Sequence, residues 1–402
     1  MALPFFKSAA RKALGLHIGA SQIRLVEIER TKTDLKLLNV GWIETPSEAY
    51  VGSHLENPSI VAGAITRLLA SKNIRTKRAL ATIDANDTIA RTIMLPSMAK
   101  KDLRKAIIFE TEASLPSTGE ENILDYQILR VFENPEDNTE QVAVLILSTQ
   151  RQNAVAIAEA LTQADLKPQA IDITPVASFR SEKRSDTYQD HGEDLILITI
   201  NDKCTDLTII NKGSVRFVRS LPMGSANMLD VLGEKPLFHD IEDKLDKGRE
   251  TVDKEPEPED EPEEDVVKPF DPFGGTGPSL GGRSHLGTSH SFMDPGESSG
   301  LGRIDSIITE LADETLNTMR YGQSIGSDQA DIKYAILNGY FPYKEGFIES
   351  LKEKLGQDVY SGDPFSNMDL TSPGLDNDLI ERFAPNFSTA CGLALRGVGE
   401  YE

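Results

Sequence analysis

The sequence predicts an α/β protein of two similar halves, with a small α/β unit set into the first half and a long polar insertion set into the second. Three observations carry this expectation. Short strand-like runs alternate with amphipathic helical runs along most of the chain. The strand–turn–strand–turn–strand order of LGLHIGASQIRLVEIERTKTDLKLLNVGW (14–42) recurs in DLILITINDKCTDLTIINKGSVRFVRSLPMG (194–224). The composition changes abruptly between 233 and 302.

The first repeat supplies strands over 14–29 and 35–43. A helix fits 57–72, because Ile60, Val61, Ala64, Ile65, Leu68 and Leu69 fall on one face. Strands follow at 78–83 and 88–95. Ser97 is placed to cap a helix that runs to 114 and stops before Pro116, with Leu103, Ala106, Ile107 and Glu110 on one face. Two strands, 124–132 and 141–148, and a helix over 152–164 complete this half. Two repeats facing each other form a cleft, and the turns at 19–22 and 201–204 point into it from equivalent positions. The boundaries are therefore a leader (1–13), a first domain (14–87 and 148–190), an inserted unit (88–147), a second domain (191–232 and 303–402) and an insertion (233–302).

That insertion contains KEPEPEDEPEED (254–265) and then a Gly/Ser-rich run. It holds too little apolar surface to offset the entropy of ordering it, so disorder is expected. Its His285 and His290 read as solvated loop residues rather than metal ligands. The 402-residue chain is 39% hydrophobic and carries a net charge of −22, which argues against a nucleic-acid surface. Its two cysteines, Cys204 and Cys391, are far apart, so neither a disulfide framework nor a cysteine zinc site is expected, and a reducing compartment suits them. Apolar runs such as LILITI (195–200) are too short to span a bilayer. The N-terminal MALPFFKSAARKAL reads as a leader helix, with a weak membrane-surface contact as the other reading.

Five segments resemble one known family in their order along the chain. They are TIARTIMLPSMAKKDLRKAIIFETEASLP (88–116), ILDYQIL (123–129), VAVLILSTQRQNAVAIAEALTQADLKPQAIDITPVASFR (142–180), YAILNGYFPYKEGFIESLKEKLGQDVYSGDPFSNM (334–368) and FAPNFSTACGLALR (383–396). In these the chain is similar to the type IV pilus assembly proteins of the PilM family. The resemblance implies an actin-like, FtsA-type fold of duplicated domains. It implies an adaptor at the cytoplasmic face of the inner membrane, tied to that membrane indirectly and placed between the pilus motor and the alignment complex. It also implies docking of the cytoplasmic N-terminal peptide of a PilN-like protein, in a groove between the first domain and the inserted unit. The partner-facing candidates are Arg91, Ile93 and Leu95 on the strand and Leu103, Ile107 and Glu110 on the helix, although packing in the unit's own core is the commoner reason for such apolar positions. Pilus motor components and a second copy of the chain are further partners under this reading.

The same resemblance marks a nucleotide site that departs from pattern. Family members that bind ATP carry an Asp-Ile-Gly turn for phosphate and Mg²⁺. Here His17 stands for the Asp, while Gly19, Ala20, Ser21 and Gln22 keep the turn. Imidazole is a poor partner for Mg²⁺, which prefers oxygen. In the second turn Thr199, Ile200 and Asn201 replace the motif; Lys203, Cys204, Thr205 and Asp206 follow, and Asp202 is a candidate substitute carboxylate. The adenosine-side Gly-Gly becomes Asn338–Gly339, followed by Tyr340 and Phe341. The expectation is a scaffold with no catalytic residue, no metal and no required cofactor. Retained ATP/Mg²⁺ binding without fast turnover stays open, as do an ATP-hydrolysing protein of the same superfold, a GspL-like type II secretion component and an FtsA-like filament former. A plain hairpin turn also accounts for Gly19–Ala20–Ser21.

Overall fold

The computed structural model describes residues 11–51, 54–85, 88–112, 121–134, 138–233, 300–324, 331–373, 375 and 377–400. The leader before residue 11 and nearly all of the acidic and Gly/Ser-rich insertion lie outside the described residues. The first half opens with β1 (Lys12–Ile18), β2 (Gln22–Arg30) and β3 (Leu35–Glu44), a small hairpin of β4 (Tyr50–Val51) and β5 (His54–Leu55), helix α1 (Pro58–Ser71) and β6 (Arg78–Ile83). Next come β7 (Thr88–Pro96), α2 (Lys100–Glu112), β8 (Asn122–Glu133) and β9 (Glu140–Gln150). Then α3 (Arg151–Gln163), β10 (Lys167–Ile173), α4 (Thr174–Glu182) and α5 (Asp186–His191) lead to the second half. That half runs β11 (Leu195–Ile200), β12 (Thr205–Asn211), β13 (Ser214–Leu221), α6 (Ser225–Leu232), α7 (Gly300–Ser324), β14 (Tyr334–Gly339), α8 (Phe347–Leu355), β15 (Asp358–Ser361), α9 (Asn377–Phe383) and α10 (Ser388–Gly397).

The repeat is explicit in the sheet order. The first sheet runs β10-β6-β1-β2-β3, and the matching part of the second runs β15-β14-β11-β12-β13. In both, the opening strand pairs antiparallel with the next strand and parallel with a later one. Both opening strands are buried on both faces, because both faces are covered. On β1, Leu14, Leu16 and Ile18 pack with Val61, Ile65 and Leu161 of α1 and α3. Ala13, on the opposite face, joins a larger core with Ala390 and Ala394 of α10. That helix approaches unusually closely: a Cβ on Gly15 would stand 1.9 Å from the Ala390 carbonyl oxygen, and one on Gly392 would stand 1.7 Å from that of Ala177 in α4. Small residues therefore let α4 and α10 pass between the two sheets.

The block from β7 to β9 is inserted in the first half but hydrogen-bonds to the second. Its strands extend the second sheet in the order β13-β7-β9-β8. The β13–β7 join is one residue pair, Phe217 with Arg91; around it Leu129 and Leu145 pack against Val215 and Phe179. Here the sequence expectation for Ser97 needs correction. Its amide and hydroxyl both bond Glu140, continuing the β7–β9 ladder, and α2 starts after it without that cap. Ladder hydrogen bonds outcompeted the local cap.

Candidate functional site

The turns between β1 and β2 and between β11 and β12 meet across the cleft. The first is closed by the Gly19 amide donating to the Gln22 carbonyl at 2.9 Å and is braced by Thr45, whose hydroxyl donates to the Gly19 carbonyl at 2.7 Å. This leaves the Ser21 and Gln22 amides, beyond Ala20, aimed outward as a small anion nest. Asp202 of the second turn fills it. One carboxylate oxygen accepts from both amides, at 3.0 and 3.2 Å, and the other accepts from the Arg24 guanidinium at 2.9 Å. Arg24 also donates to the Gln22 side chain and lies 3.5 Å from His17 Nδ1, while His17 Nε2 lies 3.6 Å from Asp84. Asp202 and Arg24 are 4% and 3% exposed, so neither charge is solvated by water. Burial pushes the Asp202 carboxyl up, but Arg24, His17 and the Ser21 amide together bring it below its usual value. A Cβ on Gly19 would stand 2.5 Å from the Asp202 carboxylate, so glycine is what lets that carboxylate in.

The rest of the second turn is internally satisfied. Asn201 and Ser220 donate to Asp206 at 2.9 and 2.7 Å. Burial pushes the Asp206 carboxyl up to about 7 despite those bonds, helped by the nearby Asp84 charge. Cys204 is buried beside it and its thiol is pushed up by burial. The Thr205 hydroxyl donates to the Met223 carbonyl at 2.6 Å, and the Lys203 ammonium sits 5.7 Å from the centre of the Tyr50 ring. The third segment is in the core. Asn338 donates to Ser178 and to the fully buried Glu182, whose carboxyl is raised to about 7 by burial. Gly339 takes a φ of +89° under the Ile200 carbonyl, and Tyr340 and Phe341 are buried.

A second site lies on the inserted block. Helix α2 covers one face of β7, β9 and β8 through Leu103 and Ile107, which join Leu95, Val142, Val144 and Ile146 in a local core. Between α2 and the edge strand β8 runs a groove of about 930 Å³, lined by Lys100, Arg104 and Ile108 on one side and Leu124, Tyr126 and Ile128 on the other. It ends at Glu121, whose carboxylate meets Arg151 of α3 at 2.9 Å, so it reaches the seam with the first half. None of the sequence candidates Arg91, Ile93, Leu95, Leu103, Ile107 and Glu110 lines this groove. Leu95, Leu103 and Ile107 are core residues with no surface to offer, and Arg91 donates to the Glu110 carbonyl on the opposite flank of the helix.

The model of the family described as type IV pilus assembly protein PilM matches residues 15–271, more than half of the chain. The chain belongs to the PilM family. A solved structure described as the PilM-PilN type IV pilus biogenesis complex is similar at 21% identity over 97% of this chain and 99% of that one, with a TM-score of 0.70. The ethanolamine utilization protein EutJ from Carboxydothermus hydrogenoformans is similar at 13% identity over 96% of this chain and 90% of its own, with a TM-score of 0.49. A Bacteroides thetaiotaomicron protein with an actin-like ATPase fold is similar at 10% identity, 91% and 96% coverage and a TM-score of 0.40. This PilM-family chain shares the fold of that PilM-PilN structure. Among the described residues, no group of three or more His, Cys, Asp or Glu side chains is arranged to hold a metal, and no helix is long and apolar enough to cross a membrane.

Two outcomes follow from the cleft. Removing one partner of a buried ion pair strands the other, typically at about 3–5 kcal/mol. Asp202→Ala should therefore lower unfolding free energy by roughly 3 kcal/mol in a denaturant titration, and adding Arg24→Met should recover part of the loss. The second concerns pH. An acid whose pKa rises on folding binds more protons in the folded state, so its contribution falls as pH climbs from the unfolded value, 3.8 for Asp206, through about 7. Asp206→Asn should flatten the decline in melting temperature over that window; an unchanged slope would rule this group out as its source.

Proposed function

We propose that this PilM-family chain is an adaptor of a type IV pilus or related secretion assembly, acting at the cytoplasmic face of the inner membrane. It docks the short N-terminal peptide of a PilN-like protein in the α2–β8 groove. The observation that carries this reading is the groove itself. It is concave, it sets Ile108, Leu124, Tyr126 and Ile128 among charged and polar residues, and it runs beside β8, which pairs with no strand on its outer side among the described residues. A short extended peptide would gain backbone bonds along β8 and bury apolar anchors against Ile108, Tyr126 and Ile128. The complex in the similar structure pairs a PilM with a PilN, which supports the partner class.

The nucleotide cleft is read as retired. A bound phosphate would need the Ser21 and Gln22 amides, and Asp202 already holds both. A second anion there would meet a buried carboxylate at hydrogen-bond range, which is strongly unfavourable. The residues present thus do not fit ATP, and no catalytic step is assigned.

The test is calorimetry with a peptide of about 10–20 residues from the N-terminus of a PilN-like partner, where micromolar to nanomolar affinity is expected. Ile128→Glu should weaken binding at least about tenfold with an unchanged circular dichroism melt, since this residue is 43% exposed. Absence of binding by the unaltered chain would sink the adaptor reading. Phosphate release from ATP should stay at background; turnover that disappears in Thr205→Ala would overturn the retired cleft.

A further inference from the structure

The outward face of α2 is unlike the rest of the chain. Acidic residues outnumber basic ones 64 to 42 overall, yet Lys100, Lys101, Arg104 and Lys105 fall within six consecutive positions with Asp102 as the one anion among them. All four cations are exposed, and Lys105 stands 4.0 Å from Asp102. They occupy the first turns of the helix, where the backbone dipole favours anions. Helix stability therefore does not explain them.

Lys101, Lys105 and Phe109 recur at i, i+4 and i+8, which is one helical stripe, and Leu103 and Ile107 point the opposite way into the local core. Phe109 is 70% exposed, and Met98, just ahead of the helix, is 36% exposed. The stripe is convex. A peptide partner needs a concavity, and the concavity is on the β8 flank. Cations with protruding apolar side chains on a convex helix face match a fluid anionic headgroup layer, into which a ring can insert while the ammonium groups meet lipid phosphates.

We infer that α2 makes a direct contact with an anionic lipid bilayer through Lys101, Lys105 and Phe109. The inference rests on the proposed function in one respect: a peptide leading into a membrane-spanning partner would hold the adjoining groove near the bilayer. The charge and shape of the stripe stand without it. A direct lipid contact would orient the inserted block and shorten the search for the partner peptide. Each cation is worth about fivefold in partitioning to an anionic surface, and the attraction decays within a Debye length.

The full chain is sedimented with phosphatidylcholine vesicles that contain or lack phosphatidylglycerol, at low and high salt. It should pellet with the anionic vesicles only, and high salt should release it. The pair Lys101→Glu with Lys105→Glu should lower the bound fraction at least about tenfold, and Phe109→Ser severalfold, with melts unchanged. Calorimetry on the same variants should show peptide affinity intact, which keeps this contact separate from the groove. The inference is overturned if the unaltered chain ignores anionic vesicles, if it binds neutral ones equally, or if the variants pellet like the parent. Lost peptide binding in the charge-reversed variant, with no lipid binding by the parent, would assign the stripe to the partner peptide instead.

Discussion

The carboxylate of Asp202 crosses from the second half of the molecule to the first, and the residues around it are arranged to keep it there. A charge that is 4% exposed must be met by donors or it will not stay ionised. Four features supply or admit them: the amides of Ser21 and Gln22, the guanidinium of Arg24, and the missing Cβ of Gly19. On its own side the chain is fixed by the Ala226 amide, which donates to the Asp202 carbonyl at 3.0 Å, and by Gly224, where a Cβ would come within 2.4 Å of that oxygen. The side chain of Asp202 ties the two turns together across the cleft.

The neighbouring polar groups follow the same logic. Ser178 lies 3.3 Å from Thr199 and 2.9 Å from Ser388, hydroxyl to hydroxyl, and also accepts from Asn338. Arg180 and Arg396 both donate to Asp172 at 2.9 Å. These networks sit on α4 and α10, the two helices between the sheets. Where α4 and α10 pack tightly through Gly392, short hydroxyls and a shared carboxylate join Ala177 and Leu393 in filling the interface.

The sequence made much of this architecture legible, because period-2 and period-3.6 patterns are local. The helix read at 57–72 appears as Pro58–Ser71, and the strand read at 78–83 appears as Arg78–Ile83. What depended on distant contacts was harder to read. Arg24 sits inside the apolar run QIRLVEI, a sign that a buried partner must exist, but that partner is 178 residues away. Leu103 and Ile107 show why a groove wall and a core face cannot be told apart by spacing: both need an apolar stripe. The residues that do line the groove, Ile108, Tyr126 and Ile128, come from two elements whose relative placement no local pattern encodes.

The join between β13 and β7 has a mechanical meaning. The block carrying the groove is tethered covalently to the first half, at residues 83–88 and 150–151, yet it leans on the second half through one backbone pair and a patch of apolar side chains. Ladders such as β8–β9 resist shear through many bonds loaded together, whereas a single pair backed by Leu145 and Val215 can slide and repack. Tension applied along β8 would therefore be borne by the covalent tethers, while the block swivels at its seam with the second half. Such a joint would let a load on the block turn it without opening the latched cleft.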